Sequence, residues 1–337
     1  MKLCIRTYTG TGNTARASAI VAAQFPAPTW TVDTRLVTKA MADPYQGIAD
    51  CDLLIVAFSS LGFSASLTMI QWIRTLPRRP GAKLALLCVC GSENRKGKYS
   101  GGWSGDALFS AARIVARRGW EIVGLSEASY PLNWTEMSNP PEEQHLPVLL
   151  EKGDHEVRSF SAALAGGSPA RFVAETATRK SAQLVAVMFR LFGRRALAAL
   201  FVSDNSCTSC GLCARSCPAQ AIRMRSARPV WSGRCDSCNR CINICPSRSI
   251  VTSNLLMYAH STIAVALAIA AFAIPLALGP VGTVLARIAL LLIGPVLQFA
   301  FLAPVLSWLS RIPALRKIFS RSFMRNYRRY REARFMP

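Results

Sequence analysis

Eight of the twelve cysteines in this 337-residue chain stand in two quartets of one spacing. The first is Cys207, Cys210, Cys213 and Cys217 followed by Pro218; the second is Cys235, Cys238, Cys241 and Cys245 followed by Pro246. Each reads C-x2-C-x2-C-x3-C-P. Thiolates so closely spaced are metal-ligating or disulfide-forming residues. Structural zinc takes four ligands, usually as two Cys pairs divided by a longer loop, and two identical quartets fit that poorly. Disulfides need an oxidising compartment, whereas Met1 to Arg6 reads as a strand start without the apolar run of a signal peptide.

The double run resembles that of the bacterial two-cluster ferredoxins, and the resemblance implies two [4Fe–4S] clusters. Short spacers let three thiolates face one cube of iron and sulfide, while the fourth, past a three-residue gap, points to the other cube. On that pattern Cys207, Cys210, Cys213 and Cys245 hold one cluster, and Cys235, Cys238, Cys241 and Cys217 the other. Such clusters move single electrons and carry no substrate chemistry. The flanking segments must supply the purpose.

At the amino end, Leu3 to Tyr8 reads as a short buried strand that runs into Thr9, Gly10, Thr11, Gly12, Asn13 and Thr14 and then an Ala-rich helix. A strand, a loop of glycines and hydroxyls, and a helix start form an anion cradle of backbone N–H groups. No Lys follows as in a Walker loop, and the spacing is not G-x-G-x-x-G. Thr-x-Thr-Gly-x-Thr resembles the phosphate loop of the flavodoxins, which implies the terminal phosphate of FMN as ligand. The following elements alternate as a doubly wound parallel sheet requires: strands near 29–33, 52–58, 83–90 and 120–125, helices near 64–76, 105–119 and 146–164. The fold class expected is therefore α/β, a flavodoxin-like doubly wound parallel sheet, followed by a small α+β two-cluster ferredoxin domain and a carboxyl-terminal helical membrane hairpin.

In that strand order ligands bind beyond the carboxyl ends of the strands. Besides the phosphate loop, the resemblance implies loops after the third and fourth strands as the flavin ring site. These carry Ser59, Ser60, Gly62 and Phe63, and Gly91, Tyr99 and Trp103. Trp103, Tyr99 and Phe63 are candidates to stack on the ring; each alone could equally cap the sheet. Tyr130-Pro131-Leu132-Asn133-Trp134 further resembles the Pro-x-Asn-aromatic element of bacterial and archaeal flavodoxin–ferredoxin fusion proteins. That resemblance spans about residues 1 to 255. The loop after the third strand departs from it, lacking the Pro and Tyr those relatives often show.

The net charge of +22 stands beside an apolar content of 51%. Cys4, Cys51, Cys88 and Cys90 sit in strand-like runs and read as buried core thiols. Ser181 to Val202 is apolar at helical spacing, interrupted by Arg190, Arg194 and Arg195. Such a helix can lie in an anionic membrane surface or pack on the ferredoxin domain. Seven arginines between Ser203 and Ser253 face only Asp204 and Asp236. They would steer an acidic electron carrier, and no recognition fold suggests a nucleic-acid partner.

No Asp, Glu, Lys or Arg occurs from Ser249 to Ala286 or from Ile288 to Ser310. Each stretch can cover a hydrocarbon core, which takes about 20 helical residues. Crossings are placed at 255–278 and 283–306, with a tight turn at Gly279-Pro280-Val281-Gly282. The arginine-rich flanks keep both ends cytoplasmic by the positive-inside rule. A helical pair lying in the interface is the alternative. His260 and Arg287 lie near span ends, where snorkelling accounts for them; His260 could instead bond a quinone or ligate a haem.

The expected organisation is a flavodoxin-like FMN-binding domain at 1–165, a linker at 166–202, the ferredoxin domain at 203–253, two transmembrane helices at 254–310 and a basic cytoplasmic tail at 311–337. The expected function is membrane-anchored electron transfer between FMN, two [4Fe–4S] clusters and a redox protein partner or the quinone pool at the lipid bilayer. A second reading is a flavin-dependent reductase of a small substrate, with Glu93, Asn94, Arg95 or Lys98 as the acid or clamp. A third is a membrane ferredoxin whose flavodoxin-like domain has lost flavin and only docks.

Overall fold

The computed structural model describes residues 1–95, 98–168, 170–273 and 279–336. The amino-terminal half runs β1 (Lys2–Tyr8), α1 (Asn13–Ala23), β2 (Thr31–Leu36), β3 (Leu53–Leu61), β4 (Ser64–Ala65), α2 (Leu67–Thr75), β5 (Lys83–Arg95), β6 (Lys98–Ser100), α3 (Ala107–Ala116), β7 (Glu121–Pro131), α4 (Leu146–Ala165) and β8 (Ala170–Arg171). The sheet order is β2-β1-β3-β5-β7-β8, with the short β4 and β6 folded back on β3 and β5. All neighbours along that path are parallel. This is the flavodoxin-like order, reversing direction beside β1.

Period-two alternation builds a core on each face of the sheet. Cys4, Leu54, Val56 and Phe58 bury on one face with Met69 and Ile73 of α2 and Leu108 and Val115 of α3. Leu3, Ile5, Ile55 and Ala57 bury on the other with Val21 of α1 and Val157 and Phe160 of α4. Strands covered on both sides need near-continuous apolar runs, and Leu53 to Phe58 is one. Cys4, Cys51, Cys88 and Cys90 are all buried free thiols, as expected. β2, the edge strand, lies at Thr31–Leu36 rather than 29–33, because its polar alternation marks its ends poorly. β7 continues past 125 to Pro131, with Ser92 paired to Pro131 at its far end.

The linker forms α5 (Ala177–Met188), a π-turn (Phe189–Gly193) and α6 (Arg194–Ala199). Three of its arginines turn inward, while Arg195 is exposed. Arg179 pairs with Glu127, Arg190 donates to Ser64 Oγ at 3.0 Å, and Arg194 donates to the Cys235 carbonyl at 3.1 Å. Leu184, Met188 and Leu191 turn outward and are exposed. The helix therefore spans both domains rather than packing on the ferredoxin alone.

The ferredoxin segment comprises β9 (Phe201–Ser203), α7 (Leu212–Arg215), β10 (Ile222–Arg225), β11 (Arg228–Trp231), α8 (Arg240–Ile244) and β12 (Ile250–Thr252). β9 pairs with β12 and β10 with β11, both antiparallel. The first pairing brings together residues flanking both quartets.

The carboxyl-terminal region is helical: α9 (Asn254–Ala273), α10 (Gly279–Leu297), a π-turn (Gln298–Leu302), α11 (Ala303–Leu309) and α12 (Pro313–Phe319). The tight turn expected at Gly279-Pro280-Val281-Gly282 is instead the start of α10, where Pro is tolerated because a first-turn N–H has no intrahelical partner. Residues 274–278, between α9 and α10 in sequence, lie outside the described residues. Among the described residues one helix, α9, is long and apolar enough to cross a membrane. α9 and α10 approach closely: a Cβ on Gly294 would stand 2.8 Å from Leu267 Cδ1. Gln298 Nε2 bonds His260 Nδ1 at 2.8 Å and donates to the His260 carbonyl at 3.0 Å, so His260 ties α9 to the π-turn.

The basic segment after Ser310 folds back on the body of the protein. Phe319 and Met324 enter the ferredoxin core. Tyr330 and Phe335 are buried against the amino-terminal domain. Apolar anchors between the arginines outweigh the charge pattern.

Candidate functional site

The loops at the carboxyl ends of β1, β3, β5 and β7 enclose a cavity of about 570 Å³. That volume lies in the usual range for a small-molecule cofactor site. Of the residues singled out from sequence, Thr9, Gly10, Thr11, Asn13, Thr14, Ser59, Ser60, Gly62, Gly91 and Trp103 wall it, together with Phe63. Gly12 and Tyr99 stand outside that wall. Tyr99 carries the Lys152 ammonium over its ring at 3.6 Å. Lys98 is exposed, and the side chains of Asn94 and Arg95 lie outside the described residues.

The phosphate-type loop is held by its own hydroxyls and by Pro131-Leu132-Asn133. The Gly12 N–H donates to Thr9 Oγ1 at 3.1 Å, Asn13 Nδ2 to the Pro131 carbonyl at 3.0 Å, and Asn133 Nδ2 to Thr11 Oγ1. Thr14 Oγ1 and Ser59 Oγ share a bond of 3.2 Å. Gly12 has φ +111, a left-handed conformation that favours glycine. Its outer side is capped by the carboxyl-terminal segment: a Cβ there would lie 2.5 Å from Phe335 Cβ and 2.7 Å from Glu332 Cβ. Tyr330 Oη donates to Asn13 Oδ1 at 2.6 Å, and the Glu332 N–H to the Thr11 carbonyl at 2.9 Å.

At the other end the cavity is aromatic and apolar. Phe63 and Trp103 pack with ring centroids 5.0 Å apart. Val185, Phe189, Ala196 and Leu197 from the linker roof it. A largely apolar cavity with hydroxyls and amides along one side suits a planar cofactor bearing a phosphate, so the residues fit FMN.

Sequence reasoning missed Glu136. It lines the cavity, is almost fully buried, and one carboxyl oxygen, Oε2, has no hydrogen-bond partner. Trp134 Nε1 donates to the other at 2.7 Å, and the Glu136 N–H donates to Asn239 Oδ1 at 3.0 Å. Burial pushes its carboxyl up to about 8, against the weaker pull of those two partners. The available signal was a lone acid two residues beyond the Pro-x-Asn-aromatic element.

The cysteines form two sets that cross the quartets. Cys207, Cys210, Cys213 and Cys245 line one small enclosure. Cys217 lies close enough to Cys235, Cys238 and Cys241 to raise the pKa of each, although burial is the larger cause. Burial likewise pushes the Cys213 thiol up to about 11, with Cys245 adding to it. Such thiols ionise when a cation compensates them, as cluster iron does. Backbone N–H groups already point at sulfurs: Ala221 at Cys217 Sγ, 3.3 Å, and Ser237 at Cys235 Sγ, 3.4 Å. Left-handed Ser209, Ser237 and Asn239 turn the loops so that this is possible. Among the described residues no group of His, Cys, Asp or Glu converges tightly enough for a single metal ion. Four thiols around one enclosure match the donor set of an iron–sulfur cube.

The cavity and the second quartet share a wall. Ser237 and Asn239, on either side of Cys238, line the cavity. The Cys238 carbonyl stands 2.6 Å from where a Gly10 Cβ would be. Asp236 accepts from Tyr8 Oη at 3.0 Å and from Thr68 Oγ1 at 2.6 Å, with all three groups buried. Burial raises the Asp236 carboxyl, and burial followed by the Asp236 charge raises the Tyr8 phenol.

Residues 206–250 match the family described as 4Fe-4S dicluster domain. No curated protein matches the chain. Among solved structures, a Streptococcus pneumoniae flavodoxin is similar at 18% identity, over 47% of this chain and 99% of its own, with a TM-score of 0.30. The rubredoxin oxygen:oxidoreductase of Desulfovibrio gigas is similar at 18% identity, over 49% of this chain and 37% of its own, with a TM-score of 0.31. Two-electron reduced Megasphaera elsdenii flavodoxin is similar at 17% identity, over 46% and 98%, with a TM-score of 0.30.

Proposed function

We propose that this chain is a membrane-anchored electron-transfer protein that binds FMN in the 570 Å³ cavity and two [4Fe–4S] clusters in the crossed cysteine sets. The observation that carries this reading is the shared wall: Ser237 and Asn239 border the cavity while flanking the cluster ligand Cys238. Bound FMN accepts electrons in pairs and releases them singly, which iron–sulfur clusters require. Thr9 to Thr14 would hold the phosphate through N–H and hydroxyl donors, and Phe63 and Trp103 would position the ring. Phe189 and Leu197 exclude water from above, and Arg240 fixes the loop against the second cluster. The redox partner, a protein or a quinone, would exchange electrons at the cluster formed by Cys207, Cys210, Cys213 and Cys245, where Cys210 is exposed.

Support for anchoring comes from exposed apolar surface. Phe272, Val281, Leu285 and Phe301 are exposed on the carboxyl-terminal helices, and Leu184 and Leu191 on the linker. Patches of this kind mark contact with lipid or a partner. Two crossings with both redox domains in the cytoplasm would satisfy the arginine-rich flanks.

Glu136 favours a second reading, a flavin-dependent reductase, because its unpartnered oxygen could deliver a proton to a substrate in the cavity. Anaerobic purification in detergent, with iron, sulfide and flavin measured on one sample, tests the shared premise. About eight irons and one FMN per chain support it. Full iron without flavin, even after added FMN, would reduce the amino-terminal domain to a docking module.

A further inference from the structure

A second cleft, of about 500 Å³, lies between the β10–β11 hairpin, α6 and the carboxyl-terminal helices. Arg195, Arg223, Arg225, Arg234 and Arg311 line it, and no Asp or Glu does. Among the described residues none of the five enters an ion pair. Arg195 and Arg311 each donate once to a carbonyl of their own helix, Leu191 at 2.9 Å and Ser307 at 3.1 Å, and keep their remaining donors. Five guanidiniums gathered in one concavity without a counter-charge repel one another and await an anion. The planar fork of Arg suits phosphate oxygens.

The opposite wall is apolar: Phe299, Ala303 and Pro304 come from the π-turn and α11. The same stretch leaves Phe301, Val305 and Trp308 exposed outside the cleft. A free inorganic phosphate would gain nothing from that wall. A phosphate joined to acyl chains uses both sides.

We infer that this cleft is a site for an anionic glycerophospholipid, its phosphate held by the arginines and its chains lying along Phe299 and Pro304. Basic pockets beside membrane helices take such head groups. The inference rests on the membrane-anchored reading. A bound lipid would fix α11 against the ferredoxin hairpin and so hold the cluster segment at a set height above the bilayer.

Full-length protein in neutral detergent is titrated with phosphatidylglycerol, phosphatidylcholine and glycerol 3-phosphate, and bound molecules are counted by native mass spectrometry. Retention of one phosphatidylglycerol in preference to the other two is expected. R223Q/R225Q/R234Q should weaken it roughly 100-fold. R321Q/R331Q, which removes charge outside the cleft, should leave it nearly intact, with iron content reporting folding in every variant. Equal retention of phosphatidylcholine, equal binding of glycerol 3-phosphate, or equal loss in both variants overturns the site. Membrane fractionation separates the two failures. Protein that stays in the membrane yet retains no anionic lipid overturns this inference alone, whereas protein released without detergent overturns the anchoring beneath it.

Discussion

The guanidinium of Arg240 donates to the carbonyl of Gly10 at 2.9 Å, joining the residue before Cys241 of the second quartet to the middle of the phosphate-type loop. The same group donates to the Thr9 and Ser216 carbonyls, each at 2.6 Å, and lies 5.0 Å from the Phe335 ring centroid. One buried cation thus holds the phosphate-type loop, the end of the first quartet and the carboxyl-terminal segment together. Arg240→Ala leaves three carbonyls unpaired, at about 1–3 kcal/mol for each that water cannot reach. The melting temperature should fall by several degrees and FMN should dissociate more readily. Arg240→Lys, with one compact charge in place of a fork, should restore only part of both. Calorimetry and flavin fluorescence on the purified variants check this; unchanged flavin affinity in Arg240→Ala would detach the cluster domain from the flavin site.

Gly62 has φ +55, and a Cβ there would sit 2.3 Å from Phe189 in the linker roof. Gly62→Ala therefore combines left-handed strain with a collision against a ring packed over the cavity. We expect FMN to bind roughly tenfold more weakly, consistent with a loss of about 1–2 kcal/mol. Phe189→Ala should weaken binding by opening the roof, yet in the double variant it should relieve the clash. Titration of apoprotein with FMN reads the cycle. Strictly additive losses would show that the Gly62→Ala effect does not arise from collision with Phe189, and unchanged binding in Phe189→Ala would show that its ring does not cover the site.

The crossing of the fourth ligands has its own test. Cys245→Ser should abolish the cluster of Cys207, Cys210 and Cys213 although it lies in the other quartet. Iron should then drop from about eight to about four per chain. Cys207→Ser/Cys245→Ser should lose no more than that, because both act on one cluster. Cys217→Ser/Cys245→Ser should lose nearly all iron. An uncrossed arrangement would instead cost Cys207→Ser/Cys245→Ser nearly all of its iron, whereas Cys217→Ser/Cys245→Ser loses both clusters in either arrangement and serves as the control for full loss.

The strands of the sheet and the thiol quartets were legible because each obeys a local rule: Leu53 to Phe58 is a continuous apolar run, and the cysteines recur at fixed spacing. The loops around the cavity were legible for the same reason, since they end strands. Glu136 was not, because a lone acid two residues beyond the Pro-x-Asn-aromatic element carries no sign of its burial; Asn239, its partner from the second quartet, meets it only in the folded chain. The placement of Tyr330 to Phe335 over Gly12 was equally hidden. Nine cations after Ser310 mark a basic tail, and the few aromatic anchors among them count only once a surface exists to receive them. Tyr99 shows the opposite error, an aromatic in the right loop that faces Lys152 instead of the cavity.

Glu136 gives the fold a distinctive pH dependence. Burial holds its carboxyl at about 8 in the folded protein, against an ordinary value of 4.5. Between those values the folded state keeps a proton that the unfolded chain has released. Stability therefore falls as pH rises through that window, with a limiting slope of about 1.4 kcal/mol per pH unit, and this contribution flattens below and above it. Glu136→Gln keeps the shape and the hydrogen bond from Trp134 without the titration. The variant should match the native protein near pH 5 and become progressively the more stable of the two towards pH 8. Melting temperatures of both proteins across that range decide the matter. Parallel curves would mean that the carboxyl is ionised and compensated in the fold, and the reading of Glu136 as a proton source in the cavity would fall with them.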